Sequence, residues 1–578
     1  MLDTSPASQP RHAETKAPKR TIELLHEHAR RDPHGTCVRL FSKRKKEGAL
    51  TWAEVRDGAG RAASFFKAKG VERGDVVALM GGHDLDFYLV WLGAVWYGAV
   101  PCVLPEPSVR VDRAIYWSRL EMMLQFAGVK LLAVGSGVGE VGSSWTNQIP
   151  HFTYADVAAG EGPVPEPLRA AAEDPLLLQH SAGTTGQPKS ILLTHGMIEH
   201  QFANMFRRTG DHDGHVFASW LPLYHDLGMI GSFLGPLHRG CPVIWLSPFE
   251  WVSSPTLLLE AITKYRVTDA MFPNFTFAFL ANAEHGPNDK FDLSSMKTVY
   301  SGGEPVSEGA VQAFLDRYEP LGFPKSAFHV GYGMAESVAI IVASGPECHP
   351  KFVSVDKERW LQEHHAVPSD PAKVECVTHV SCGRPLTNIE IRVVDEEGRP
   401  VAARCAGRVL VKTPYLFSGY YRRDDLNHDL FDAEGFYDSG DLGYVDEDGH
   451  VYVTGRKKDL VIVGGRNVYP QDVEDVANKV PGVHPGRVVC FGVTVGKLGT
   501  EGIVVLFESD EPEGAWAGLT DGVRRAITHA LDVSVYDTRC VTRMTLRKST
   551  AGKLARGGNR TWYLEGRFGD VHADVLKS

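Results

Sequence analysis

Between Val76 and Gly331 the sequence alternates short apolar runs with longer amphipathic stretches, and this alternation constrains the fold more than any other feature. Val76–Met80, Leu131–Val134, Leu176–Gln179, Val243–Leu246, Ala270–Phe272, Val299–Ser301 and Phe328–Gly331 have the length and composition of buried strands. Stretches between them, such as Ala62–Lys69 and Pro255–Lys264, carry their apolar residues on one helical face. Strands alternating with helices build parallel sheets covered by helices on both faces. Ligands on such sheets gather at the carboxyl ends of the strands.

After about residue 380 the pattern changes. Glu390–Val394 and Arg408–Lys412 alternate apolar and polar side chains, and Val445 and Val451–Val453 flank an Asp-Glu-Asp-Gly turn. That is the pattern of antiparallel strands and a hairpin. A further unit starts near Lys457, where Tyr469-Pro470 opens a helix with Val473, Val476, Ala477 and Val480 on one face.

A chain of 578 residues exceeds one compact core, so more than one domain is expected. The net charge of -10 argues against a nucleic-acid backbone binder, which needs a basic face. The nine cysteines are scattered without a C-x-x-C pair, which argues against zinc and against a disulfide framework and points to a reducing cytoplasm. Residues 1–20 are polar with no apolar stretch, as in a disordered leader. The uncharged run Phe87–Leu104 has the length of a membrane span. Gly93, Gly98 and Pro101 and the lack of a basic flank make it instead a buried helix feeding a buried strand.

The strongest local signal is Ser181-Ala-Gly-Thr-Thr-Gly-Gln-Pro-Lys189-Ser190, directly after an apolar strand. Glycines let backbone N–H groups approach an anion, and hydroxyls and a lysine add donors and charge, which suits a triphosphate. It is not a Walker A loop, because Pro188 stands five residues after Gly183. Read alone, such a loop is also compatible with a surface turn. The loop resembles the phosphate loop of the adenylate-forming superfamily, which includes acyl-CoA synthetases, luciferases, peptide-synthetase adenylation domains and fatty acyl-AMP ligases. Ser190 stands where that family has glycine.

Further motifs of the same family follow in order. Gly331-Tyr-Gly-Met-Ala-Glu336 resembles its aromatic-Gly-x-Thr-Glu element, with Ala335 at the threonine position. The resemblance implies that Tyr332 stacks on adenine beside Gly331, Gly333 and Met334, and that Glu336 holds Mg²⁺. Ser301-Gly302-Gly303-Glu304-Pro305 resembles the adenine-edge strand, and Tyr437-Asp-Ser-Gly-Asp441 the ribose motif. Gly455-Arg456-Lys-Lys458-Asp459 resembles the hinge motif, with Arg456 reaching ribose or phosphate and Lys458 at the pivot. Ser549-Thr-Ala-Gly-Lys553 resembles the loop that carries the catalytic lysine. With Gly183, Thr184, Thr185, Gly186 and Lys189, these residues form the implied ATP site. The implied fold is α/β: an N-terminal domain over 21–456 of two parallel α/β subdomains plus an antiparallel β subdomain, and a small mobile α+β domain over 457–578.

Other stretches are similar to the fatty acyl-AMP ligase branch: Trp220-Leu-Pro-Leu-Tyr224-His225-Asp226-Leu-Gly-Met-Ile-Gly231, Phe272-Pro-Asn274-Phe275, Gly322–Phe328, Val380–Pro385 and Gly464–Asp472. They imply that Tyr224, Asp226, Asn274, Phe275 and Ser301 meet the acid, and that His225 lines the acyl–phosphate junction. Residues 338–380 sit where that branch carries an insertion associated with preference for a carrier-protein pantetheine over coenzyme A. The histidines there, His349, His364 and His365, suggest a solvated loop rather than a metal site. The turn after Pro105, with Glu106 and Arg110, is left unexplained. The expected activity is ATP- and Mg²⁺-dependent formation of an acyl-AMP from a carboxylic acid, then transfer to an acyl or peptidyl carrier protein. The competing readings are an acyl-CoA ligase, activation of another oxyacid or a small aromatic or amino acid, and a nucleotide-binding scaffold without turnover.

Overall fold

The computed structural model describes residues 19–44, 47–106, 113–136, 138, 149–181, 189–210, 212, 214–286, 290–463, 466–495, 500–531, 533–548 and 553–575. Leader residues 1–18, the phosphate-loop residues Gly183, Thr184, Thr185 and Gly186, Arg110, and the loop segment 549–552 lie outside them.

Two large sheets form the body. One has six strands in the order His151–Thr153, Val129–Val134, Val76–Met80, Val100–Leu104, Pro175–Ser181, Lys189–Thr194. Its strands run parallel except the last pair, which is antiparallel. The other has nine strands, and its middle is parallel: Phe328–Tyr332, Thr298–Gly302, Asp269–Phe272, Phe217–Ser219, Val243–Trp245 and Thr36–Leu40 lie side by side. Short antiparallel strands flank both edges. Every strand expected between Val76 and Gly331 is present within a residue or two.

The run Phe87–Leu104 is the helix Leu85–Tyr97 followed by the strand Val100–Leu104. Phe87 to Trp96 are buried without interruption, so no polar face is needed and none is present. Gly93 allows the closest contact. A Cβ there would lie 2.4 Å from Ala62 Cβ, on the helix Trp52–Ala68. That helix starts at a capping box in which Thr51 and Glu54 satisfy each other's backbone N–H. Among the described residues no helix is long and apolar enough to cross a membrane.

Glu390–Val394, Gly407–Lys412, Tyr437–Val445 and Val451–Arg456 form an antiparallel sheet. Beyond it, Val488–Val495, Thr500–Ser509 and Val535–Thr542 make a three-stranded sheet. The two-residue period of its strands puts Val488, Cys490, Val505 and Phe507 into one core and Val489, Phe491, Val504 and Leu506 into another.

Residues 338–380 correct the solvated-loop expectation. Phe352–Asp356 pairs antiparallel with Cys376–Val380, and the helix Lys357–Glu363 lies between them. Trp360 is fully buried in a small core with Val355, Tyr444, Tyr452 and Tyr469. Its ring stacks on Tyr469 at 5.3 Å. His364, half-buried, ends the helix in a left-handed conformation, while His349 is exposed. An indole this large needs cover, and the antiparallel sheet together with Tyr469 supplies it.

Candidate functional site

The carboxyl ends of the parallel strands in the nine-stranded sheet carry Asn274, Ser301–Gly303 and Tyr332, and the antiparallel sheet brings Asp441 and Arg456 to the same place. Tyr332 is buried and donates its hydroxyl to Asp441 Oδ2 at 2.7 Å. Arg456 Nε lies 3.0 Å from Asp441 Oδ1. Asp441 and Arg456 are paired across the strands Tyr437–Val445 and Val451–Arg456, so backbone register holds both side chains in place. Burial pushes the Asp441 carboxyl up, against the pull of Arg456. A carboxylate accepts at about four lone-pair positions, so Asp441 retains acceptor capacity for further donors.

Glu336 follows Ala335 in a short helical turn at the end of Phe328–Tyr332. Val338 comes next with φ 74°, a strained conformation for a β-branched residue that sets the direction of this turn. Tyr420 donates to Glu336 Oε1 at 2.8 Å and lies 3.1 Å from the Tyr437 hydroxyl. Phe417 N–H donates to the Glu336 carbonyl at 2.8 Å. Lys189 Nζ sits 4.6 Å from the Tyr420 ring centroid. Glu336 and Lys189, the first residue of the hairpin's second strand, therefore share one aromatic neighbour. Tyr420 is a residue that motif reading missed; only its neighbour Gly419 and the Tyr-Tyr pair distinguish it in the sequence. One fixed carboxylate fits a Mg²⁺ ion that takes its other ligands from phosphates and water.

The hairpin mouth explains Ser190. It is fully buried, and its hydroxyl lies 2.7 Å from His180 Nδ1 on the opposite strand. The other ring nitrogen of His180 reaches Cys102 Sγ at 2.9 Å. Burial pushes the imidazole down to about 4, so it remains neutral. Ser181 is placed by its backbone in the same hairpin.

Lys553 is half-buried and donates its ammonium to the Gly303 carbonyl. Gly303 has φ +78°, and a Cβ there would lie 3.0 Å from Lys553 Nζ. Burial pulls the ammonium pKa down, while Glu304 and Asp226 pull it up. Glu304 accepts from Phe275 N–H at 2.6 Å. Burial alone raises Asp226, but His225 Nδ1 at 2.6 Å, Lys553 and the Leu227 N–H outweigh it and hold the carboxyl at about 2. Asn274 Oδ1 and Ser301 Oγ are buried without a hydrogen-bond partner, which suits a site that expects a polar ligand. Tyr224 accepts at its backbone carbonyl from Gln179. Gly302, Gly331, Gly333 and Met334 line the same strand ends, Pro305 follows Glu304, and Lys458 is exposed beyond Arg456. Desolvation of the ammonium by its neighbours, then Arg456, lowers the Lys458 pKa.

The structure thus brings together two clusters. One is Tyr332, Asp441 and Arg456, with Glu336 and Lys189 beside Tyr420; the other is Lys553, Gly303, Glu304, Asp226 and His225. A model of the AMP-binding enzyme family matches residues 25–421. The chain belongs to the AMP-binding enzyme family. It is 32% identical over 521 residues, covering 88% of this chain and 94% of the relative, to a Mycobacterium tuberculosis protein named "Putative ligase Rv1013". It is 28% identical over 562 residues, 93% of each chain, to the medium-chain-fatty-acid acyl-carrier-protein ligase JamA of Moorena producens. A solved structure from a study of fatty acyl-adenylate ligases of E. coli and L. pneumophila superposes with TM-score 0.85 at 24% identity, over 95% of this chain and 98% of the other. This AMP-binding enzyme is an adenylate-forming ligase, and its fold is that of the acyl-AMP ligases and adenylation domains.

Among the described residues one further cluster has metal-ligand chemistry: His212, His215 and Asp269 have ligand atoms within 4.8 Å of one another. Arg239 Nη1 stands 2.8 Å from His215 Nε2, so a cation there would meet a guanidinium at close range.

Proposed function

We propose that this enzyme activates a fatty or related carboxylic acid with ATP and hands the acyl group to the phosphopantetheine thiol of a carrier protein. The observation that carries the first half is Lys553, seated on the Gly303 carbonyl between Glu304 and Asp226. An ammonium there neutralises charge where an acid carboxylate and an α-phosphate meet. A carboxylate oxygen attacks the α-phosphorus, a P–O bond forms, and the bond to pyrophosphate breaks. The protein's share is positioning and charge stabilisation. Tyr332 and the strand residues Ser301–Pro305 hold adenine, Asp441 and Arg456 hold ribose, and the 181–190 loop with Lys189 holds the phosphates. Glu336 would hold Mg²⁺, which supplies compensation of phosphate charge. His225, with its partner Asp226, lines the junction; Asn274, Phe275, Ser301 and Tyr224 meet the acid.

Residues 21–456 act as the adenylate-binding unit and 457–578 as the unit that turns about Lys458, withdrawing Lys553 and admitting the thiol. Carrier-protein transfer is supported by the likeness to JamA, an acyl-carrier-protein ligase, and by the 352–380 hairpin packed on Tyr469, near the proposed pivot. The enzyme acts in the cytoplasm, where ATP and carrier proteins meet. Acid-dependent pyrophosphate release, with mass detection of the adenylate, tests activation. Free coenzyme A against holo carrier protein as acceptor tests transfer, and efficient acyl-CoA formation with no carrier acylation overturns that half.

A further inference from the structure

The segment Phe417–Tyr421 is bonded both to the turn that carries Glu336 and to the phosphate-loop hairpin. Phe417 N–H donates to the Glu336 carbonyl and Tyr421 N–H to the Ser190 carbonyl, each at 2.8 Å. Ile191 and Tyr420 face each other in an antiparallel bridge. The buried Tyr420 side chain touches both partners as well. Its hydroxyl donates to Glu336 Oε1 at 2.8 Å, and Lys189 Nζ stands 4.6 Å from its ring centroid.

The direction of the hydroxyl bonds follows from counting protons. An ionised carboxylate only accepts, so Tyr420 gives its single proton to Glu336. At the Tyr437 hydroxyl, 3.1 Å away, Tyr420 then accepts and Tyr437 donates. A donor on the Tyr420 oxygen polarises the phenol and strengthens the bond it gives to Glu336. Tyr437 begins the strand Tyr437–Val445, which also carries Asp441.

The backbone of Tyr420 is clamped too. Asn427 Oδ1 accepts from Tyr420 N–H at 2.8 Å, and Asn427 Nδ2 donates to the Tyr420 carbonyl at 3.0 Å. Asn427 ends the short helix Asp424–Asn427. Gly419 makes room for its amide: φ there is +144°, and a Cβ would lie 2.8 Å from Asn427 Cγ. A buried ring needs cover, but cover does not require one side chain to bond both of its backbone groups. The clamp fixes where the hydroxyl points.

We propose that Tyr420, held by Asn427, is a positioning residue for the metal carboxylate: its hydroxyl occupies Glu336 Oε1 and leaves Oε2 for Mg²⁺, while its ring keeps Lys189 beside the same phosphates. Mg²⁺ demands near-ideal ligand geometry, so a carboxylate free to turn binds it less well. Tyr420 and Asn427 act through Glu336 and take no part in the chemistry. The proposal rests on the reading of Glu336 as the Mg²⁺ carboxylate.

The test is the calorimetric affinity of the full chain for α,β-methylene-ATP, which cannot release pyrophosphate, with Mg²⁺ and with EDTA. The quantity read is the ratio of the two affinities, which a general loosening of the nucleotide site leaves unchanged. The wild type gains affinity with Mg²⁺, and Glu336→Gln removes most of that gain. Tyr420→Phe keeps the ring and loses only the hydroxyl. It cuts the gain about tenfold, the worth of a hydrogen bond to a charged group, with affinity in EDTA and affinity for AMP near wild type. Asn427→Ala cuts the gain by less, and adds nothing in the double variant with Tyr420→Phe, because both act through one hydroxyl. If Tyr420→Phe does not fold, Asn427→Ala decides the matter. A gain that is unchanged in the folded variants of Tyr420 and Asn427, or affinities that fall equally with Mg²⁺ and with EDTA, overturns the positioning role while leaving Glu336 as the metal carboxylate. A wild type with no gain from Mg²⁺, or a Glu336→Gln variant that keeps the gain, overturns the reading of Glu336 and the proposal with it.

Discussion

The two halves of the site are built differently. Tyr332, Asp441 and Arg456 are tied by bonds of 2.7 and 3.0 Å, the second between residues paired on adjacent strands. Lys553 arrives from 250 residues away in sequence and meets Gly303 through one donated bond. Its own region is held together separately. Arg556, three residues on, pairs with Asp459 at 2.7 Å and Glu474 at 2.9 Å. The Tyr332–Asp441–Arg456 side is thus tied together by side-chain bonds, and the segment that carries Lys553 has ion pairs of its own. If Lys553 leaves between two half-reactions, as proposed, one contact releases it more readily than a network would.

Removing the delivered group is the largest test of that contrast. Lys553→Ala should lower acid-dependent pyrophosphate release by about 10²–10³-fold, as loss of a single charge-stabilising donor does, while AMP binding measured calorimetrically stays near wild type. Equal loss of both would put Lys553 on the Tyr332–Asp441–Arg456 side. Trp360→Ala should lower stability to denaturant by about 3 kcal/mol, the cost of emptying a buried aromatic site. It should also raise acylation of free coenzyme A relative to holo carrier protein, if the Trp360–Tyr469 stack restrains the unit that carries Lys553. Asp441→Asn should raise the KM for ATP by about tenfold, the worth of one buried charged hydrogen bond, with a smaller change in kcat.

Two smaller effects sharpen the picture. Ser190→Gly, which restores the family's usual residue, removes the partner of His180 at the hairpin mouth. It should raise the KM for ATP a few-fold, about 0.5–1.5 kcal/mol for a neutral hydrogen bond, and leave the KM for the acid unchanged; Ser190→Thr should behave as wild type. Asp472 lies 3.5 Å from Trp360 Nε1, and burial beside Asp475 pushes its carboxyl up to about 7 from the ordinary 3.8. The folded state holds that proton more tightly than the unfolded chain. Its contribution to stability is therefore full below 3.8 and is lost as pH rises through about 7. Asp472→Asn should flatten the stability profile over that window, as read by thermal unfolding at a series of pH values. An unchanged slope would mean that the carboxyl keeps its ordinary pKa.

Much of the fold was legible because buried strands and amphipathic helices leave periodic apolar patterns. Val76–Met80 and Glu390–Val394 were located to the residue on pattern alone. The 338–380 segment was misjudged because its apolar residues are few and far apart. Trp360 reads as an isolated indole until Tyr444, Tyr452 and Tyr469 are seen to cover it. Tyr420 was missed for the same reason, since its partner Glu336 lies 84 residues away.

The sequence by itself determined the layered α/β body, the position of the phosphate hairpin after an apolar strand, and the order of the motifs. These rest on local propensity and short-range pattern, which a linear chain records directly. Only the tertiary structure decided that His180 links Ser190 to Cys102, that Tyr420 reaches Glu336, and that Lys553 rests on Gly303. Each of those needs side chains from different strands or distant segments to meet within hydrogen-bond distance, and no short-range apolar pattern encodes such a meeting.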